Sequence, residues 1–341
     1  MLVRLIARGK VETRSCSYYG TTSGVGLNTL KPLITSGWKV VAINRSNKRA
    51  LDAASIFLSR DDLNKISFIE IDLSDLNKVR EGAQEISTKF KDALKILICN
   101  AAVYKPRLRR PERSVQGFEN SMAVNHFGHF LLINLLINDL INSDKDINLN
   151  GKNISFTSRI TILGTVTANY IELGGKIPIP APADLGDLAG FEKGFLSPIS
   201  MANGKKFKPG KAYKDSKLCN MITVQELAKR YPPEKIICNS LYPGCVANSK
   251  LFRNTPWIFR LLFPLFQKYI TRGYVTEKLA GQRVASVATD SDLFQSGVHW
   301  SWGNRQKLVG KVFSQKLSKR IIDSELSQKT WDLSMKLVGL K

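Results

Sequence analysis

The sequence is poor in the residues that build metal sites and disulfide frameworks. Its five cysteines (Cys16, Cys99, Cys219, Cys238 and Cys245) are odd in number and contain no Cys-x-x-Cys pair. That argues against a zinc site or a disulfide scaffold and for a reducing compartment. The three histidines are also scattered: His126 and His129 would share a helix face, where packing or capping is their ordinary use, and His299 stands far away. No metal is expected. No apolar run approaches the roughly 18 residues of a membrane span, and Phe130–Ile137 is interrupted by Asn134. No secretory signal, internal repeat or low-complexity tract is visible. Acidic residues are outnumbered, 28 against 51 Lys and Arg, for a net charge of +23 over 341 residues. Such a charge attracts polyanions or anionic lipid. The basic residues are nevertheless spread along the chain with no nucleic-acid motif, so no nucleic-acid partner is expected. The charge reads mainly as a solvated surface, with an anionic membrane or an acidic substrate as the functional alternative.

What is present is an alternation of short apolar runs and amphipathic segments. Gly20-Thr21-Thr22-Ser23-Gly24-Val25-Gly26 is a glycine-rich turn, followed by a helix over Leu27–Ser36 and a strand over Trp38–Ile43. Further strands are expected at Ile66–Ile71, Leu94–Cys99, Arg159–Gly164 and Ile236–Leu241, with helices at Leu76–Phe90, Gly117–Ile141 and Tyr213–Tyr231. Strands this apolar, separated by helices, indicate a mainly parallel sheet covered on both faces. The expected fold class is therefore α/β, a single Rossmann-like doubly wound domain over residues 20–341, with ligands at the carboxyl ends of the strands.

The polar clusters fall at those ends. Gly20, Ser23, Gly24, Val25 and Gly26 would let backbone approach a pyrophosphate at a helix N-terminus. Arg45, with Lys48 and Arg49 close behind, ends the second strand, where a carboxylate would select NAD and an Arg suits a 2′-phosphate. The cofactor expected is NADPH. Asp72 and Leu73 end the third strand, at a position that can bind adenine. Asn100, Ala101 and Ala102 end the fourth, where small residues let a cofactor lie against backbone. Asn125 sits mid-helix, where Asn is a poor helix former, and holding a water in a proton relay would explain it. Thr165 ends the fifth strand, and Pro243 and Gly244 the sixth. Tyr213 and Lys217 stand four apart on a helix and so share a face. An ammonium beside a phenol would lower the Tyr213 pKa and make it a usable proton donor.

In order and spacing, these motifs resemble the short-chain dehydrogenase/reductase family over most of the chain. The resemblance implies Tyr213 as proton donor, Lys217 on the nicotinamide ribose, Asn125 in the relay, and Thr165 where the family usually carries Ser. Other stretches sharpen it: Asn100–Tyr104, Val124–Leu132, Asp184–Leu188, Ala212–Asn220, Ser240–Cys245, Phe263–Ile270 and Lys336–Leu340. These are similar to the light-dependent protochlorophyllide reductases, of cyanobacterial type. That subgroup implies a light-driven, NADPH-dependent reduction of the C17–C18 double bond of protochlorophyllide to chlorophyllide in chlorophyll biosynthesis. It implies an insertion at about 166–211. It also implies a Cys near the pigment at Cys245, in a proton or positioning role; packing after a Pro-Gly turn is the plain alternative. Tyr242 would touch pigment or merely pack. The aromatic segment at about 252–275 reads as a lid, as an interface for lipid or a second subunit, or as plain core. The expected location is cytoplasmic or peripheral on photosynthetic membranes. Two other functions use the same residues: a light-independent reductase of a lipid-like carbonyl, and a non-catalytic NADPH- or pigment-binding protein.

Residues 1–19 depart from the pattern. The family's first strand is apolar, whereas Thr13–Gly20 reads as a poor central strand. Ser15-Cys16-Ser17-Tyr18-Tyr19 can be written TCT TGT AGT TAT TAC, and reading from the second base gives Leu-Val-Val-Ile and the start of Thr. Residues 1–19 are therefore expected to arise from a reading-frame shift just before Gly20, in the gene or its record, and to weaken folding or NADPH binding. The nucleotide sequence tests this: an alternative frame encoding an apolar strand is the expected finding, and its absence ends the idea.

Overall fold

A computed structural model describes residues 15–143, 146–149, 152–169, 181–307 and 309–341. The described residues hold ten strands: β1 Ser15–Tyr19, β2 Lys39–Asn44, β3 Ile66–Glu70, β4 Leu94–Cys99, β5 Asp146–Leu149, β6 Lys152–Ser155, β7 Ser158–Leu163, β8 Ile236–Leu241, β9 His299–Trp302 and β10 Val312–Ser314. The longer helices are α1 Gly24–Thr35, α2 Asn47–Phe57, α3 Leu76–Phe90, α4 Gly128–Asn142, α5 Pro209–Arg230, α6 Trp257–Leu265, α7 Glu277–Thr289 and α8 Ser324–Leu337. Eight strands form one sheet in the order β10-β9-β8-β7-β4-β1-β2-β3. All neighbours pair parallel except β10, which runs antiparallel on the edge. Chain order reverses between β1 and β4, which sets the ligand crevice at their carboxyl ends. The hairpin β5–β6 is separate.

The two faces of the sheet carry separate cores. On one side α3, α4 and α5 pack through residues such as Val79, Phe130 and Leu218, which are buried. On the other, α1 and α7 pack through Leu30, Leu33 and Val284. β4, β7 and β8 are buried at every position, as expected of strands covered on both faces, and they bury Lys95, Arg159, Thr161 and Asn239 among their apolar residues.

Two expectations are corrected. The helix expected from Gly117 begins at Asn120, because Gly117 has φ +86° and Glu119 caps the helix by accepting from the Met122 amide at 3.0 Å. It then passes through a π-turn over Ala123–Phe127 before continuing as α4. The second correction concerns the atypical N-terminus, of which residues 1–14 lie outside the described residues. Ser15–Tyr19 does form the central strand, paired to both β2 and β4. Backbone ladder bonds are indifferent to side chain, so the strand forms; what polar residues forfeit there is core packing. Cys16 fills its place as a small apolar group. Ser17 is fully buried, and its hydroxyl has no hydrogen-bond partner among the described residues.

A buried, unmade hydrogen bond costs about 1–3 kcal/mol. Ser17→Ala, which removes the hydroxyl without adding volume, is therefore expected to raise stability by about 1 kcal/mol. Urea unfolding checks this, and a loss of stability would mean the hydroxyl has a partner.

Candidate active site

The glycine turn is shaped by contacts that leave no room for side chains. A Cβ on Gly26 would lie 1.8 Å from the Gly20 carbonyl oxygen, and Gly20 itself has φ +90°. The Gly20 amide donates to the Ile43 carbonyl at 2.9 Å. Buried Asn44 fastens the turn to the end of β2, its Oδ1 accepting from the Thr21 amide at 2.8 Å. Asn100, at the end of β4, donates to the Gly20 carbonyl at 3.3 Å. The N-terminus of α1 has no side-chain cap and no acidic residue in its first turn, so its amides and dipole suit a phosphate. Arg45 and Lys48 are exposed just beyond β2, on the side where a 2′-phosphate would lie. These residues fit NADPH. Asp72 is held by Ser74, whose amide and hydroxyl donate to it at 2.9 and 2.7 Å. Leu73 is a core residue, 1 % exposed and packed on Gly128, so only its backbone can serve a ligand. Ala101 lies against Gly20, with Ala102 beside it in the strap that follows β4.

Asn125 stands within the π-turn and is fully buried. Its side chain accepts from the Val103 amide at 2.8 Å and donates to the Val103 carbonyl at 3.1 Å and to Ser216 Oγ at 3.0 Å. Ser216 in turn donates to the Tyr213 carbonyl at 2.7 Å. The side chain thus ties the strap after β4 to the helix of Tyr213 and Lys217. The Asn125 main-chain carbonyl lies 3.2 Å from His129 Nδ1.

The Tyr213–Lys217 face is formed, but its electrostatics differ from the expectation. Burial raises the Tyr213 phenol well above the ordinary tyrosine value, and the nearby Tyr104 and Cys245 groups raise it further. Lys217 Nζ is turned to the Leu163 carbonyl at 2.8 Å, and burial lowers its pKa to about 8. The phenol therefore stays protonated at neutral pH by desolvation, not acidified by the ammonium. Cys245, its thiol pushed up to about 12 by burial, is likewise a thiol at neutral pH. Thr165 is buried at the end of β7, and its hydroxyl lies 3.1 Å from that of Thr167. Pro243 accepts from Arg283 Nη1 at 2.8 Å through its carbonyl, and a Cβ on Gly244 would strike Val275 at 2.5 Å. Tyr242 is capped by Arg305, whose guanidinium carbon stands 5.0 Å from the ring centroid.

Sequence reading missed three features. Tyr104 packs on Tyr213 with ring centroids 4.9 Å apart, then on Phe252 at 6.0 Å. Phe252 continues to Phe263 of α6 at 5.2 Å, which stacks on Phe259 at 4.4 Å. A run of aromatic rings therefore leads from Tyr213 to the 252–275 segment. Second, the insertion is clamped to α5 beside Tyr213. Lys211 Nζ lies 2.5 Å from the buried Asp215 carboxylate and donates to the Asp184 carbonyl at 2.6 Å. Asp215 Oδ1 also accepts from the Asp184 amide at 2.9 Å. The Lys-x-x-x-Asp spacing was a readable signal; its partner Asp184 was not. Residues 170–180 of the insertion lie outside the described residues. Third, no residue of α6 or of the following π-turn, Phe266–Ile270, is buried, which excludes the plain-core reading of this segment. Trp257, Leu261 and Ile270 are 67, 61 and 71 % exposed.

Comparison with known proteins bears on what this site does. The family model for short chain dehydrogenases matches residues 16–159. Protochlorophyllide reductase B of Oryza sativa subsp. japonica is 42% identical over 325 residues, covering 94% of this chain and 76% of its own. Protochlorophyllide reductase A of Arabidopsis thaliana is 41% identical, covering 94% and 76%. The Chlamydomonas reinhardtii enzyme is 40% identical, covering 94% and 77%. All three are named as chloroplastic. Among solved structures, an uncharacterised protein from Mycobacterium paratuberculosis superposes with a TM-score of 0.64 at 20% identity, covering 96% of this chain and 93% of that one. The 3-ketoacyl-(acyl-carrier-protein) reductase of Brucella melitensis, complexed with NADH, gives 0.56 at 17%, covering 84% and 95%. At these identities the structures speak for the fold alone.

Lys217 provides a test of the site's electrostatics. Its folded-state pKa, about 8, lies below the ordinary 10.5. The unfolded chain therefore binds more protons between those values, and stability rises with pH across that window. Wild type is expected to gain on the order of 3 kcal/mol relative to Lys217→Met between the two pH values. Chemical denaturation at each pH measures it, and a constant difference between the two proteins contradicts the assignment.

Proposed function

This chain belongs to the protochlorophyllide reductases of the short-chain dehydrogenase/reductase family, and on that premise we propose how its residues divide the reaction. The protein is an NADPH-dependent oxidoreductase that reduces the C17–C18 double bond of protochlorophyllide to chlorophyllide when the pigment absorbs light. The observation that carries this reading is the extent of the similarity. At 94% of the chain it cannot come from the cofactor half alone. The relatives named are from land plants and a green alga, so they carry the family, and a cyanobacterial affinity stays a reading of the motifs.

A conjugated C=C is a poor hydride acceptor in its ground state, and the protein's task is to hold the reacting groups in near-attack geometry for the excited pigment. NADPH, when bound, supplies the hydride to C17. The glycine turn and the uncapped α1 would hold its pyrophosphate, and Arg45 and Lys48 its 2′-phosphate. Asp72 and the Leu73 backbone would meet adenine. Asn100, Ala101, Ala102, Pro243 and Gly244 would flank the rest of the molecule. Tyr213 is the donor of the proton to C18. Its raised pKa keeps the phenol loaded, and Lys217 beside it, with a pKa near 8, can be drawn on to restore the proton. Cys245, near enough to Tyr213 to act on its phenol, and Tyr242 would position the macrocycle. Thr165 lines the end of β7 with its hydroxyl.

The outer face of α6 presents Trp257, Ile258, Leu261, Leu262 and Leu265 to solvent, with Arg253, Arg260 and Lys268 close by. An apolar face rimmed by cations suits the surface of an anionic photosynthetic membrane. No helix among the described residues is long and apolar enough to cross one, so the contact proposed is peripheral. Self-association through the same face is the competing use, and vesicle flotation against sedimentation of the free protein separates them.

Absorption spectra of the purified chain with NADPH and protochlorophyllide, in darkness and after a flash, test the function. Conversion only after the flash is expected, and Tyr213→Phe should slow the proton step by about 10²-fold or more. Conversion in darkness of a carbonyl substrate instead would favour the light-independent reductase, and binding without turnover a carrier.

A further inference from the structure

The acid that α1 lacks in its own first turn is supplied by another helix. Glu277 opens α7, and its carboxylate reaches across to the N-terminus of α1. Oε1 lies 3.6 Å from the point that a Cβ on Gly24 would occupy, and no atom of another described residue outside the α1 turn comes within 4 Å of that point. Oε2 accepts from Asn28 Nδ2 at 3.4 Å, and the same amide donates to the Gly24 carbonyl at 2.9 Å. Asn28 is the only polar partner of this carboxylate among the described residues. An anion without a paired cation therefore rests beside the turn where the pyrophosphate of the cofactor is expected.

The backbone that carries Glu277 is fixed on both sides. Thr276 caps α7, its hydroxyl accepting from the Leu279 amide at 3.1 Å. One turn on, α7 meets α1 backbone to backbone: a Cβ on Gly281 would lie 2.5 Å from the carbonyl group of Asn28. Before the helix, Val275 donates to the Cys245 carbonyl at 3.0 Å and Gly273 accepts from the Cys245 amide at 2.8 Å. The side chain can swing, but its root cannot leave α1. A helix N-terminus favours an anion, through its unspent amides and its dipole. In the free protein Glu277 is that anion. A phosphate arriving at the same place meets a like charge, and the two repel in proportion to their closeness. Every anion that binds there bears this cost. A dinucleotide has further holds at Arg45, Lys48 and the crevice, whereas a solitary phosphate has only the helix end.

We propose that Glu277 is a built-in competitor at the pyrophosphate subsite: it occupies the α1 N-terminus in the free protein and gives way to the cofactor, which keeps solitary anions out and lets spent cofactor leave. The proposal rests on the assignment of NADPH to this crevice. It makes Glu277 a specificity determinant that lowers affinity at one end of the cofactor in exchange for selectivity and turnover of the bound nucleotide.

The test is a charge series, wild type, Glu277→Gln and Glu277→Lys, titrated calorimetrically in darkness and without pigment. The probes are NADPH, inorganic phosphate, and adenosine 2′-monophosphate, which carries the 2′-phosphate but no pyrophosphate. Glu277→Gln is expected to bind NADPH about fivefold more tightly at low salt, the size of one partly screened like-charge contact, and Glu277→Lys more tightly still. Affinity for adenosine 2′-monophosphate should stay the same across the series, and inorganic phosphate should compete with NADPH more strongly in both variants than in wild type. Thermal unfolding of the free proteins should move the opposite way, because removing the anion from two helix N-termini costs stability. Tighter binding by a less stable protein is a result that a merely structural role would not produce. Equal NADPH affinity across the series, weaker binding by Glu277→Gln, or a gain shared by adenosine 2′-monophosphate overturns the proposal. If neither nucleotide binds to any of the three proteins, the cofactor assignment itself falls, and the proposal with it.

Discussion

The side chain of Asn125 is the tie on which the active site depends. It is an amide with nowhere to go but its protein partners, fully buried in a π-turn. It spends its hydrogen bonds on both backbone groups of Val103 and on Ser216. Three elements meet there: the long helix that crosses the sheet, the strap leaving β4 beside the cofactor crevice, and the helix that carries Tyr213 and Lys217. In a low-dielectric interior such a network is stiff when satisfied and costly when broken. The π-turn explains how an amide can sit mid-helix and still face the strap, since the wider turn rotates residues off the regular α-helical face.

From that tie the two halves of the chemistry follow. On the cofactor side, the strap carries Asn100 and Ala101 against Gly20, so the same bonds that hold Val103 also shape the glycine turn. On the pigment side, the strap carries Tyr104 onto Tyr213. Desolvation by this packing keeps the phenol protonated, which is the state that the proton-donor role proposed for Tyr213 requires. The Lys211–Asp215–Asp184 clamp closes the outer side of the same helix, so Tyr213 is braced from both flanks.

Much of this was legible in the sequence because it is local or positional. The glycine turn, Arg45, the Tyr213–Lys217 spacing and the apolar strands each announce themselves within a few residues, and the parallel sheet follows from their alternation. The helix start was misplaced because Gly117 and Glu119 are read from backbone conformation and capping, not from apolar spacing. The direction of the Tyr213 shift was misread because spacing along a helix shows the neighbour four residues away but not the burial that desolvates the phenol or the Leu163 carbonyl that claims the ammonium. The partners of Asn125 and the ring contacts of Tyr104 and Phe252 join residues distant in the chain, and no local pattern encodes them. The central strand shows the reverse: a polar sequence still completes the sheet, since neighbours on both sides supply the ladder.

The most direct measurement of the central claim is the post-flash proton step in Asn125→Ala, followed by time-resolved absorption in H2O and D2O. If Asn125 positions Tyr213, the step slows by about tenfold or more while remaining sensitive to D2O, and NADPH affinity changes less than the proton rate does. A proton step as fast as in wild type, with Val103 deprived of its partner, would show that Tyr213 is positioned by something other than this tie.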